Sequence, residues 1–169
     1  MESALGLLGV TKFHRLNFPD NALDSVPLLE VVQALENLCA GWTPPSIVMT
    51  HHPGDLNVDH QIANRAVHTL FRPQPGQMLK PRIILSFEVL SSTGWFGASG
   101  SVFVPNFFQD VSETLHRKLE ALEAYATEMR PWPHARSLKA VEHLARFRGA
   151  LVGLDAAEAF VIERMIQAT

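Results

Sequence analysis

The chain has 169 residues, 47% of them hydrophobic and 18% charged, with a formal net charge of −3. A chain of this size can bury a substantial core, and a single domain over residues 1–169 is expected. Its Lys and Arg residues are scattered, which gives no basic footprint for nucleic acid or anionic lipid. No apolar run reaches the ~18 residues of a membrane span, and Met1-Glu2-Ser3 lacks the basic start of a signal peptide.

In chain order, Ala4, Leu7 and Leu8 are helically spaced before Gly9, so residues 3–9 read as the last turns of a helix already under way before residue 1. Val10 to Asn17 has the composition of a strand. Pro19-Asp20-Asn21 is turn chemistry ahead of a helix that Asp24 or Ser25 would cap. On that helix Leu28, Val31, Val32, Leu35, Leu38 and Cys39 form one apolar face ending at Gly41, where the only cysteine of the chain reads as a buried thiol and no disulfide framework is possible. Ser46 to Thr50, a short apolar run after Pro44-Pro45, suits a buried parallel strand. The next helix begins near Asn57 and carries Ile62, Ala63, Ala66, Val67 and Leu70 on one face. Ile83 to Leu90 reads as a third strand and Ser91 to Ser101 as a Gly/Ser-rich loop. Helices are expected at about 110–129, 137–150 and 155–167, the first with capping-box spacing at Asp110 and Glu113 and a buried stripe of Leu115, Leu119 and Leu122. Strand and helix alternating in this way predicts an α/β fold, a mostly parallel sheet flanked by helices.

The chemistry is concentrated in Thr50-His51-His52-Pro53-Gly54-Asp55-Leu56-Asn57-Val58-Asp59-His60, which packs three histidines and two carboxylates into the segment after a buried strand. In open α/β sheets ligands bind beyond the carboxyl ends of the strands, where such a loop lies. If Asn57 caps the helix, His60 falls in its first turn as a candidate metal ligand. Asp59 is then placed to orient an imidazole from behind, as metal-bound histidines require. The plainer reading is a polar loop in which Asn57 and Asp59 are helix caps.

Asp55-Leu-Asn57-Val-Asp59-His60 resembles the second conserved block of the LmbE/PIG-L family of zinc-dependent N-acetylglucosaminyl deacetylases. The similarity continues through Asn17-Phe-Pro-Asp20, Phe87-Glu88, Pro105-Asn106-Phe107, Pro133-His134-Ala-Arg136-Ser137, Arg148-Gly149 and Ala157-Glu158-Ala159-Phe160. The resemblance implies a Rossmann-like fold and one divalent ion, usually zinc, which lowers the pKa of water to about 7 and polarises an acetamide carbonyl. It makes His60 a metal ligand and places Asn57 where many members have a histidine that stabilises the oxyanion or protonates the leaving amine. Asparagine can donate a hydrogen bond there but cannot transfer a proton. The family's N-terminal His-Pro-Asp-Asp block has no counterpart upstream of Asn17; His52-Pro53-Gly54-Asp55 belongs to the second block. The expectation from sequence is therefore a domain missing its first strand-helix unit, holding zinc poorly through His60 alone, with an exposed strand edge that a partner chain or a homo-oligomer would cover.

His134 and Arg136 are candidates for the rim of a sugar pocket, or simply the start of a helix. Glu88 ends an apolar strand as a functional group or an ion-pair partner. Trp95 and Phe96 suit stacking on a sugar ring, or anchoring of their loop. His14, His68, His116 and His143 have no companions at metal spacing. Two functions compete: zinc-dependent hydrolysis of the N-acetyl group of a GlcNAc-type sugar or glycoconjugate in the cytoplasm, and a non-catalytic descendant binding a saccharide or a protein. A nucleotide-binding fold lacks its Gly-x-Gly-x-x-Gly, since Gly94, Gly97 and Gly100 are spaced by three.

Overall fold

A computed structural model describes residues 1–76, 80–95, 97 and 100–167. The chain divides into two compact units, one of Met1–Arg15 with Phe107–Ala159 and one of Leu16–Asn106 with Phe160–Thr169. Among the described residues no helix is long and apolar enough to cross a membrane.

The second unit holds α2 (Leu28–Cys39), β1 (Ile47–His51), α3 (Val58–Leu70) and β2 (Ile83–Phe87), together with most of β4 (Ala157–Met165). The apolar stripe of α2 buries Val31 and Val32 against Ile62 and Ala66 of α3, and Phe18, Leu23, Val26 and Leu28 close that cluster. A second cluster joins Cys39, Leu70 and Phe71 to Ile84 of β2, with Leu35, Val48 and Val67 at its margin, so both helices pack on the sheet. Ile84 and Leu85 are 0% and 1% exposed, and burying such a side chain stabilises by about 1.5–3 kcal/mol. Burial raises the Cys39 thiol above its ordinary pKa, as expected of an inert core cysteine. Pro27, rather than Asp24 or Ser25, precedes α2; those two residues lie in a short 3-10 turn, Leu23–Ser25.

β1 pairs parallel with β2, from Ile47↔Ile83 to His51↔Phe87. β2 pairs antiparallel with β4, from Phe87↔Phe160 to Ile83↔Met165, with a register shift between Ile84 and Leu85. The sheet order is β1-β2-β4-β3, where β3 is Phe107–Asp110. The α/β class holds, but the sheet is mixed rather than mostly parallel. The cause is the segment expected as a helix at 155–167, which is β4. Phe160-Val161-Ile162 is β-branched and aromatic, and hydrogen bonding to β2 overrides the helical spacing of its alanines and glutamates.

The first unit contains α1 (Glu2–Leu7), β3, α4 (Leu115–Glu123), α5 (Leu138–Ala150) and the start of β4. Leu115, Ala145 and Ala156 form its core with Val111 and Leu119. The helix expected from 110 begins only at Leu115: Asp110 Oδ1 accepts from the Ser112 N–H (2.9 Å) and hydroxyl (2.6 Å), making a turn after β3 instead of a capping box. Ser137 Oγ caps α5 by accepting from Ala140 N–H at 3.1 Å. Gly149 lies where a Cβ would fall 2.6 Å from the Leu154 carbonyl oxygen and 2.7 Å from Ala156 Cα, so the chain turning back after α5 leaves no room for a side chain. Val10 to Asn17, expected as a strand, has no regular structure and is largely exposed, because among the described residues no strand supplies it with a ladder.

Candidate functional site

The parallel pairing of β1 and β2 brings their carboxyl ends to the same side of the sheet, and the chemistry-bearing loop emerges there. His52 N–H donates to the Phe87 carbonyl at 3.1 Å, extending the ladder by one residue before the chain turns. The turn is close-packed: a Cβ on Gly54 would collide with the Ser101 carbonyl and reach 3.1 Å from the His52 ring, so the position accepts only glycine.

Asp55 is the hub of the loop. It is fully buried. Oδ2 accepts from the hydroxyls of Ser92 (2.9 Å) and Thr93 (2.7 Å), and Oδ1 accepts from the Asn57 N–H (2.8 Å). Its backbone carbonyl accepts from Gln61 Nε2 at 2.6 Å, and the Leu56 N–H donates to the Ser92 carbonyl at 3.2 Å, so the loops after β1 and β2 are fastened together. Burial pushes the Asp55 pKa up, but the Thr93 hydroxyl, the Asn57 amide, the Ser92 hydroxyl and His60 outweigh it, and the carboxyl titrates below its ordinary range.

His60 stands in the first turn of α3. Asn57 caps that helix, as the sequence indicates, with Oδ1 accepting from the N–H groups of Asp59 (2.8 Å) and His60 (3.4 Å). His60 Nδ1 comes within 3.0 Å of Asp55 Oδ1, yet this nitrogen makes no aligned hydrogen bond. The short distance is an electrostatic contact, because the ring N–H does not aim along it. The His51 ring stacks on His60 with centroids 3.9 Å apart and planes inclined by 12°, and it also meets Phe87 at 4.7 Å. Burial first, then His60, lower the His51 pKa to about 4 against a partial offset from Asp55. His52, 3% exposed, packs edge-on against Phe103 and accepts from Gly54 N–H at Nδ1 (3.1 Å). Burial lowers its pKa too, against Glu163, Asp55 and Glu88.

The carboxylate behind the imidazole is thus Asp55, whereas both oxygens of Asp59 accept from backbone N–H groups, of Asn21 at 2.7 Å and Leu23 at 2.9 Å. Asp59 fastens the turn after Pro19 to the helix, and Asn57 Nδ2 donates to Asn21 Oδ1 at 3.4 Å. Glu88 follows β2 at the same sheet end, half-buried. Trp95 is 57% exposed at the end of the turn whose Ser92 and Thr93 hold Asp55. Phe96 lies outside the described residues. His134 and Arg136 belong to the first unit, where His134 Nδ1 accepts from Arg136 N–H (2.9 Å) and Arg136 Nη1 donates to Glu128 at 3.1 Å in an exposed pair. On the α3 face bearing Val58, Gln61, Ile62 and Arg65 a cleft of about 470 Å³ opens beside Asp24 and Leu28, and none of the candidate residues lines it.

The zinc implied by the resemblance finds an incomplete donor set. Among the described residues no three His, Cys, Asp or Glu side chains gather so as to hold a metal ion.

The residue that sequence reasoning left without a role is Asp55. Its signal is the Asp-x-Asn spacing, in which the first side chain binds the amide two residues on, together with the hydroxyl run Ser91-Ser92-Thr93. Over residues 1–71 the chain matches the PIG-L family, described as GlcNAc-PI de-N-acetylase. The matched segment takes in α2, β1, the Asp55 loop and the whole of α3. No curated protein matches the sequence. Among solved structures, a conserved protein of Thermus thermophilus is similar over 99% of this chain and 73% of its own, with 24% identity and a TM-score of 0.72. The N,N'-diacetylchitobiose deacetylase of Pyrococcus horikoshii, solved with an inhibitor, is similar over 95% of this chain and 60% of its own, with 20% identity and a TM-score of 0.71. At these identities the likeness is one of fold.

Proposed function

We propose that this chain is a deacetylase of the PIG-L type, hydrolysing the N-acetyl group of a GlcNAc-type sugar or glycoconjugate. The observation that supports it is the coincidence of the family match over residues 1–71 with a histidine, His60, set in the first turn of α3 and backed by the buried Asp55. The stacked His51 holds the imidazole plane, and Asn57 Nδ2, whose bond to Asn21 is long, is the donor for an acetamide oxygen. Asp59 acts by holding the turn at Asn21–Leu23 rather than by contact with a substrate. Glu88 and Trp95, in the same unit as His60, are the proposed sugar contacts, Trp95 by stacking its exposed ring. Zinc is the metal the family implies. Among the described residues the donor set does not complete a zinc site.

A second reading, a non-catalytic descendant that binds a saccharide or a protein partner, is favoured by that same donor set. Acetate release from N-acetylated amino sugars, measured beside calorimetric binding of the same sugars, separates the two. Release that depends on His60 supports the enzyme, and binding without release supports the descendant.

A further inference from the structure

We infer that the stacking of His51 on His60 and the engagement of Asp55 leave His60 without a second metal ligand, and that the chain therefore retains no zinc at this histidine. The inference concerns the metal alone; the deacetylase reading stands or falls separately on acetate release.

An imidazole nitrogen binds a metal in the plane of its ring, at about 2.0–2.1 Å for zinc. The planes of His51 and His60 are nearly parallel, 3.9 Å between centroids and 12° apart. Planes so inclined meet only roughly 18 Å away, so no ion within bonding distance of one ring lies in the plane of the other. Stacking removes His51 as a second ligand.

Asp55 is removed by saturation. Two hydroxyls occupy Oδ2, while the Asn57 amide and the His60 ring crowd Oδ1. Turning the carboxylate to a metal would strand the Asn57 N–H and two buried hydroxyls. Asp59 is likewise engaged at both oxygens by Asn21 and Leu23. His52 Nδ1 is occupied by the Gly54 N–H, and its ring packs edge-on against Phe103. Among the described residues His60 is left without the companions a catalytic zinc needs, which are two further protein ligands and a water. An ion held by one imidazole keeps water in its other positions and exchanges freely.

The test equilibrates the 169-residue chain, His60→Gln and His60→Ala with excess zinc chloride and desalts them. Zinc per chain is then measured by elemental analysis, and Tm with and without zinc. The inference expects below about one zinc per ten chains in all three, with Tm unmoved by the metal. Zinc retained equally by all three places the ion elsewhere and also upholds it. About one zinc per chain in the native protein, lost in both variants, overturns it, as does a zinc-dependent rise in Tm on the order of 5–10 °C confined to the native chain. The Tm of each variant without zinc establishes that it is folded.

Discussion

Removing the Asp55 side chain separates a buried structural carboxylate from one merely passing through the loop. In Asp55→Ala the Ser92 and Thr93 hydroxyls and the Asn57 N–H lose their acceptor. A buried donor left unsatisfied costs about 1–3 kcal/mol, more where the lost partner was charged. The two hydroxyls can rotate toward other acceptors, while the amide of Asn57 is fixed by its role at the start of α3, so the sum is about 3–5 kcal/mol rather than three full penalties. Asp55→Asn is the informative companion. Its Oδ1 can keep the Asn57 N–H, and its Nδ2 can donate to the hydroxyl oxygens, which accept as readily as they donate. Only the charge assistance is lost, about 1–2 kcal/mol. Urea unfolding followed by circular dichroism measures both, and amide exchange at Asn57 reports the loop directly. Equal destabilisation by Asn and Ala, or a loss below about 1 kcal/mol in Asp55→Ala, would refute the reasoning.

The remaining expectations follow from single contacts. His51 titrates at about 4 in the folded chain against 6.5 in model compounds. Between those values the unfolded chain binds more protons, so its contribution to stability is present above pH 6.5 and is lost as pH falls toward 4. At about pH 5 the loss is about 1–2 kcal/mol after allowance for the partial exposure of the ring, and His51→Asn should flatten this part of the urea-unfolding profile. Gly54→Ala must displace the Ser101 carbonyl and should destabilise by about 1–3 kcal/mol, as should Gly149→Ala through Leu154 and Ala156; thermal unfolding checks both. Asp59→Ala frees the N–H groups of Asn21 and Leu23 and removes an acid from the first turn of α3. It should cost about 1–2 kcal/mol and raise hydrogen exchange at those two amides while leaving that of Asn57 unchanged.

The parts legible in the sequence are those governed by local chemistry. Asn57 announces α3 because a capping side chain directly precedes a helical apolar stripe, and β1 shows as a short apolar run bounded by Pro44-Pro45 and the histidines. Residues 157–165 misled because Ala157 to Met165 fits helical spacing as well as a strand, and only its ladder to β2, more than 70 residues away in the chain, decides. β3 escaped notice because its four residues run into a turn that imitates a helix cap. Within the site, the motif placed His60 correctly at the helix start, but the roles of the two neighbouring carboxylates depend on contacts distant in sequence. Ser92 and Thr93 lie 37 and 38 residues from Asp55, and Asn21 and Leu23 lie 38 and 36 residues from Asp59. No spacing rule reveals which carboxylate faces the imidazole and which holds a turn.

The deacetylase reading is tested most directly by acetate released from N-acetylated amino sugars, with free zinc supplied in the buffer, by the native chain and by His60→Gln. The account expects acetate from the native chain and none above the blank from the variant. No acetate from the native chain at any zinc concentration, or equal release from both proteins, would contradict it.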